Sequence, residues 1–427
     1  MENRWSDSEA SRLTQEYAKR GISEEMVLRV YTTRLLGRDP ELVLHGGGNT
    51  SFKTQITDVL GEKIDVLCVK GSGWDMAKIE PEGLPAVRLA PLLKLRALDH
   101  LSDDDMVSFK RGNLVNSNSP NPSVEALLHA FLPHVYIDHT HANAILSITN
   151  QPDGDRICEE IFGDRLGVIP YIKPGFQIAK KGLEIADSNP NAEGLIALKH
   201  GIFTFGETAE LAYHRMIEFV SLAEAYIRKG RSPVFAQAPL PKELISVAEI
   251  APAIRGACKV QNKSFVLDFR TNALILSYVN GKDLHHYSQI GVATPDHAIR
   301  TKNVPLILPI PKQASNQSYA ESVTASVNSY INQYHRYFQK HNARHSGSKV
   351  ELDPVPRVAL VPGVGLFGIG RNHKDAKIAA DIAEATIKTI TNAESIGTYE
   401  SIDESEMFDL EYWSLEQAKL AGQVEKP

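Results

Sequence analysis

Cysteine is scarce. Cys68, Cys158 and Cys258 are the only three in 427 residues, far apart and with no C-x-x-C pair. That excludes a disulfide framework and a thiolate zinc site, and it fits a reducing, cytoplasmic setting. Long apolar runs are missing too, so no segment reaches the length needed to span a bilayer. The start, Met1-Glu2-Asn3-Arg4-Trp5-Ser6, lacks the basic-then-apolar pattern of an export signal. Neither sign of charge dominates: 46 Lys and Arg against 52 Asp and Glu leave a net charge of −6, which gives nucleic acid no electrostatic hold. With 42% apolar and 23% charged residues, the composition is that of an ordinary globular protein. The length is too great for one small core, so two domains are expected.

Residues 7–36 read as two helices broken near Gly21, and 42–80 as short strands and turns rich in glycine. Helices are expected at 83–99 and 123–132, strands near 167–173 and 194–199, and a long helix at 207–229. Gly230-Arg231-Ser232-Pro233, with Pro239 and Pro241 close behind, reads as a linker. The expected division is therefore 1–230, a linker at 231–242, and a second α/β domain at 243–427. Within the latter, 264–280 reads as a hairpin, and 317–342 and 372–393 as helices. An amphipathic helix at 403–421 carries Phe408, Tyr412 and Trp413 as a docking face. One internal echo links Ile196–Gly206 to Val358–Gly368. It suggests that the second half is a degenerate copy of the first, with Pro362 standing where His200 stands.

The most informative stretch is Asp138-His139-Thr140-His141, inside an apolar run from Val135 to Leu146 that reads as a strand. Alternate side chains of a strand share a face, so His139 and His141 are expected to point the same way. His200, in Leu198-Lys199-His200-Gly201, is a third candidate ligand, and Glu125 supplies a carboxylate just upstream of the pair. Three imidazoles and one carboxylate suit zinc or another divalent ion. His129, His134 and His214 read as satisfied helix or loop histidines outside the site.

Five motifs in order carry a resemblance: Gly48-Asn49-Thr50-Ser51, Gly71-Ser72-Gly73, Ser123-Val124-Glu125, His139-Thr140-His141 and His200-Gly201. Residues 25–230 resemble the class II aldolase/adducin superfamily. The whole chain resembles the aldolase part of two-part proteins that join a rhamnulose-1-phosphate aldolase region to a short-chain dehydrogenase. Pro295–Lys302 and Phe408–Glu416 carry that wider likeness, and this sequence stops near where a dehydrogenase would be expected to start. The resemblance implies a three-layer αβα domain, zinc held by His139, His141 and His200, and Glu125 as both metal ligand and proton carrier. It implies phosphate contacts from Asn49, Ser72, Gly73 and Ser123, and a homo-oligomer such as a tetramer. The implied activity is reversible cleavage of a ketose 1-phosphate to dihydroxyacetone phosphate and an aldehyde.

The chemistry of the residues agrees with this reading. A divalent cation stabilises the oxyanion left by retro-aldol cleavage, a carboxylate beside it shuttles the proton, and glycine turns make anion-binding concavities. Lys70, Lys173 and Lys199 keep a Schiff-base route open. Val124 replaces the second hydroxyl residue that the family often carries, and Tyr171 and Lys173 are the candidates for the aldehyde side. Epimerisation, dehydration or decarboxylation of a sugar-acid phosphate would use the same metal site. A non-catalytic adducin-like module and a partner of a separate dehydrogenase are the alternatives of another class. Gly363-Val364-Gly365-Leu366-Phe367-Gly368 spells G-x-G-x-x-G, but no second apolar strand ending in an acidic residue follows. It therefore reads as structural rather than as a dinucleotide loop.

Overall fold

The computed structural model describes residues 1–259, 264–312 and 316–421. They form two compact units. Residues 1–149, 153–228 and 418–421 make the first, and 229–417 with 150–152 make the second. No helix among the described residues is long and apolar enough to cross a membrane.

In the first unit the order is α1 (Asp7–Ala18), α2 (Glu24–Gly37), β1 (Asn49–Thr57), β2 (Lys63–Val69), β3 (Ala86–Arg88), α3 (Leu89–Lys94), α4 (Asp103–Gly112) and α5 (Ala126–Phe131). It continues through β4 (Tyr136–Thr140), α6 (Asn143–Thr149), α7 (Gly154–Phe162), β5 (Leu166–Ile169), α8 (Phe176–Ser188), β6 (Gly194–Ala197), β7 (Gly201–Gly206) and α9 (Ala209–Ile227). The seven strands form one mixed α/β sheet in the order β3-β2-β1-β4-β7-β6-β5. Every neighbouring pair is antiparallel except β5 with β6. Alternation sends Thr140 and Thr204 toward α9, where they bond Met216 Sδ and the Ala212 carbonyl. Ser51 and Phe203 face the other way, toward His129 on α5. The β4 side chains on that second face, His139 among them, look toward the α5 layer.

The second unit runs α10 (Val247–Ala257), β8 (Val266–Arg270), α11 (Ala273–Val279), α12 (Leu284–Tyr287), α13 (Ala298–Thr301), β9 (Leu306–Ile307) and α14 (Asn316–Asn342). Then come β10 (Val358–Val361), β11 (Gly365–Gly370), α15 (His373–Ile396), α16 (Glu404–Glu411) and the start of α17 (Ser414–Ala421). Its sheet has the order β8-β11-β10-β9. Val358 and Leu360 pack toward α15, whereas Ala359 and Val361 pack toward α10 and α14, so this is again a sheet between two helical layers.

Four expected elements fold otherwise. The apolar run 135–146 is not one strand: β4 ends at Thr140 and α6 begins at Asn143. Every residue of α6 is buried, so its pattern carries neither helical nor strand periodicity. The helix expected at 83–99 splits, because Ala86–Arg88 pair with β2 as an edge strand before α3 starts. The 264–280 hairpin is a strand followed by a helix. Asn272 caps α11 by accepting from the Ile275 amide, a signal that the β-branched and aromatic residues around it conceal. The 403–421 helix breaks at Tyr412–Trp413 into α16 and α17, and its Phe408 and Tyr412 lie buried against Tyr334 and Phe338 of α14. That aromatic stripe is used inside the second unit. Gly365–Gly370 is itself a strand rather than a loop between strand and helix, which removes the geometry a dinucleotide fingerprint needs.

Candidate metal centre

His139 is the penultimate residue of β4, wholly buried, with its ring stacked on Phe203 of the paired strand at 3.9 Å. Its Nδ1 lies 3.0 Å from the Ile202 carbonyl. A carbonyl accepts only from N–H, so this contact places the proton on Nδ1 and leaves the Nε2 lone pair for a cation. Burial also pushes the His139 imidazole well below its usual range and keeps it neutral. His141 lies just past the strand end, yet its Nε2 stands 3.1 Å from His139 Nε2. His200 comes from the β6–β7 turn, which the pairing of Ile202 with Thr140 brings alongside. Lys199, at φ +58°, sets that turn.

The three rings meet edge to edge, with centroids 4.9, 5.1 and 5.0 Å apart. One ring nitrogen from each lies within 4.8 Å of the others. Glu125, immediately before α5, closes the group: its Oε2 is 3.4 Å from His139 Nε2 and its Oε1 is 3.3 Å from His200 Nε2. Burial pushes the Glu125 carboxyl up, and charge on any protonated imidazole among its neighbours pulls it back below the usual carboxylate range. Tetrahedral coordination at about 2.0–2.1 Å sets nitrogens roughly 3.3 Å apart. The His139–His141 spacing is close to that, and the donor set is one that zinc and similar divalent ions accept. The residues present therefore fit a divalent metal.

Two glycines make room for this cluster. A Cβ on Gly201 would lie 2.4 Å from the Thr140 carbonyl oxygen and 3.0 Å from His139 Cε1. One on Gly48, at φ +62°, would lie 2.6 Å from the His139 carbonyl oxygen.

The residues expected at the phosphate lie beside the cluster. Asn49 heads β1 opposite His139, and its Nδ2 donates to Glu125 Oε2 at 2.6 Å and to Ser123 Oγ at 3.1 Å. The Asn49 amide thus orients the carboxylate. Ser123 is nearly buried, and its amide donates to the Lys70 carbonyl. A bridge between Gly71 and Pro122, with the Ser72 amide donating to Asn121, ties the 71–73 turn to the 121–123 turn. Gly73, at φ +80°, has open space where a Cβ would be.

Two supporting groups went unread in the sequence, and His129 is the satisfied helix histidine that was expected. Arg29 of α2 and Asp138 of β4, both fully buried, form an ion pair on the opposite face from His139. Burial raises the Asp138 carboxyl against the pull of Arg29. Buried Lys110 donates to the carbonyls of Ser123 and Val124, at 2.9 and 3.4 Å, and burial brings its ammonium down to about 7. His129 Nδ1 lies 2.7 Å from Ser51 Oγ, and burial lowers its imidazole to about 3. A charge in mid-strand was the one local signal, at Asp138.

Comparison with known proteins bears on this geometry. Residues 28–227 match the family described as Class II Aldolase and Adducin N-terminal domain, and residues 245–420 match Aldolase class II, second domain. The Bacillus subtilis protein called Uncharacterized oxidoreductase YuxG is 34% identical over 398 residues. These are 92% of this chain and 57% of that protein, so the chain spans a little over half of that relative's length. The N-terminal class II aldolase domain of a conserved protein from Thermoplasma acidophilum is 39% identical, covering 53% of this chain and 100% of its own, with a TM-score of 0.48. An L-fuculose-1-phosphate aldolase from Thermus thermophilus is 17% identical, covering 47% of this chain and 95% of its own, with a TM-score of 0.32.

Proposed function

The chain belongs to the class II aldolase and adducin superfamily, and from that premise we propose that it is a metal-dependent lyase. In this reading it reversibly cleaves a ketose 1-phosphate, rhamnulose-1-phosphate-like, to dihydroxyacetone phosphate and a short aldehyde. The observation that carries the reading is the convergence of His139, His141 and His200 with Glu125 between two of them. A divalent cation held by these residues would act as a Lewis acid on the substrate's carbonyl and hydroxyl oxygens.

The remaining work falls to the protein. Glu125, aimed by the Asn49 amide, takes up and returns the proton that moves as the carbon–carbon bond breaks or forms. Ser72 and Gly73 offer a hydroxyl and open backbone to a phosphate, and Ser123 offers its hydroxyl beside them. Lys110 keeps the 123–125 segment in place from behind. Buried walls of Phe203 and neighbouring strands exclude water from the His139 side. Assembly into a homo-oligomer, tetrameric in this reading, is checked by sedimentation of the full chain.

One observation favours a second reading. The Asn49 amide is committed to Glu125 and Ser123, and Val124 brings no hydroxyl. A substrate that presents a different anionic group there, such as the carboxylate of a sugar-acid phosphate undergoing epimerisation, dehydration or decarboxylation, fits that altered donor set. Elemental analysis of the purified chain, followed by a coupled assay for dihydroxyacetone phosphate, tests the first reading. Metal-dependent release supports it, and cleavage that survives complete removal of metal contradicts it. NMR analysis of products from phosphorylated ketoses and sugar acids separates it from the second.

A further inference from the structure

The second unit repeats the element order of the first from α5 onward. Helix, strand, helix, helix, strand, helix, hairpin, helix (α5-β4-α6-α7-β5-α8-β6-β7-α9) becomes α10-β8-α11-α12-β9-α14-β10-β11-α15, with α13 as an insertion. Strand order and direction repeat as well. β4-β7-β6-β5 and β8-β11-β10-β9 are each antiparallel, antiparallel, then parallel.

The match is residue by residue. β4, α6 and α7 start at 136, 143 and 154, and β8, α11 and α12 start at 266, 273 and 284, a constant offset of 130. β6, β7 and α9 start at 194, 201 and 209, and β10, β11 and α15 start at 358, 365 and 373, a constant offset of 164. At these offsets Ile145-Leu146-Ser147, Asn150 and Asp153 fall on Ile275-Leu276-Ser277, Asn280 and Asp283. The close approaches coincide too. A Cβ on Gly201 or on Gly365 would lie 2.4 Å from the carbonyl oxygen of Thr140 or of its counterpart Arg270. One on Gly206 or Gly370 would strike the amide nitrogen of Ala212 or Ala376, again counterparts. Left-handed Lys199 falls on left-handed Gly363.

This register corrects the echo read from sequence by two residues: Val364, not Pro362, stands at the place of His200. His139 falls on Phe269 and His141 on Thr271. The ring contact survives the exchange: His139 stacks on Phe203, and Phe269 meets Phe367, the counterpart of Phe203, at 5.0 Å. The turn that would carry the third ligand is covered by the chain itself. A Cβ on Gly363 would lie 2.6 Å from Leu244 Cδ1 and 3.6 Å from Leu240 Cδ2.

We propose that residues 247–396 are a second copy of the site-bearing half of the first unit, in which Phe269, Thr271 and Val364 have replaced the three imidazoles and Leu244 packs with Phe269 and Val364 in one apolar cluster. The count of cations rests on the metal reading above; the equivalence of positions does not. The chain then holds one divalent ion, and its second unit is silent at the corresponding end of the sheet.

The test is a cobalt(II) titration of the metal-free full-length protein, read by its visible absorption and by elemental analysis. One equivalent is expected for the wild type and none for H139A/H200A. One further equivalent is expected for F269H/T271H/V364H/L244A. The pair T271H/V364H leaves the Phe269–Phe367 contact alone, and in it a weaker two-imidazole site is expected at the same place. A second equivalent in the wild type that survives H139A/H200A would overturn the single-ion count. Folded protein of both engineered variants with no added cobalt over the wild type would overturn the equivalence. A wild type that binds no cobalt, with added cobalt in the engineered variants, would sink the metal reading of the first unit and leave the repeat standing.

Discussion

The hairpin Gly194–Gly206 and the hairpin Val358–Gly370 follow the same course through a sheet, each with a helix packed close behind it. Each meets an antiparallel strand whose aromatic or imidazole ring lies against a phenylalanine. In the first unit that strand and turn gather nitrogen donors around a carboxylate. In the second, the same backbone positions hold a phenyl ring, a hydroxyl and an isopropyl group, with leucines laid across the turn. The frame therefore tolerates both a polar and an apolar filling, and the chemistry resides in a few side chains.

The largest expected effect contrasts counterparts. His139→Ala should weaken metal binding by at least about a thousandfold and abolish turnover. Phe269→Ala should leave metal content unchanged and cost about 2 kcal/mol of stability. Cobalt titration and urea unfolding of the two variants check both halves. Glu125→Gln keeps the three imidazoles and loses the proton carrier. It should retain metal while turnover falls roughly 10²–10⁴-fold, read from steady-state kinetics at fixed metal.

Arg29→Met leaves the Asp138 carboxylate buried without its partner and should cost about 3–5 kcal/mol in denaturant unfolding. Arg29→Met/Asp138→Asn should restore much of that loss. Gly201→Ala and Gly365→Ala both drive a methyl into a carbonyl oxygen and should each lose about 1–3 kcal/mol. Only Gly201→Ala should also lower metal affinity, because only there do imidazoles crowd the added methyl.

A further effect is a pH slope. Burial holds the Lys110 ammonium at about 7 in the folded chain, against about 10.4 when unfolded. Between those values the unfolded chain binds the extra proton, so stability rises with pH across the window and is lost as pH falls toward 7. Lys110→Met should flatten that part of the Tm-against-pH curve relative to wild type, as differential scanning fluorimetry would record.

Much of the first unit could be read before folding was known. Gly21 breaks the first two helices, the glycine-rich segment forms a hairpin, and Asp138-His139-Thr140 sits in a strand, because each is a local pattern. The gathering of His200 with the pair followed from motif order. What brings them together physically is the pairing of β4 with β7, which no local pattern encodes. Arg29 escaped for the same reason: an arginine within α2 gives no local hint that it crosses to a buried aspartate. In the second unit, Ala273–Val279 is too short and too apolar for periodicity to decide between helix and strand, and the Asn272 cap was the only discriminating residue. The repeat itself was visible as one faint echo. Its true register needed the turn geometry, where Lys199 and Gly363 share a left-handed backbone.

The most direct measurement is an anomalous difference map from crystals of the full-length protein, collected at and below the zinc absorption edge. A single peak within about 2.1 Å of the Nε2 atoms of His139, His141 and His200 is the predicted result. Histidine rings turned apart with no anomalous density between them, or density bound elsewhere and none there, would contradict the account.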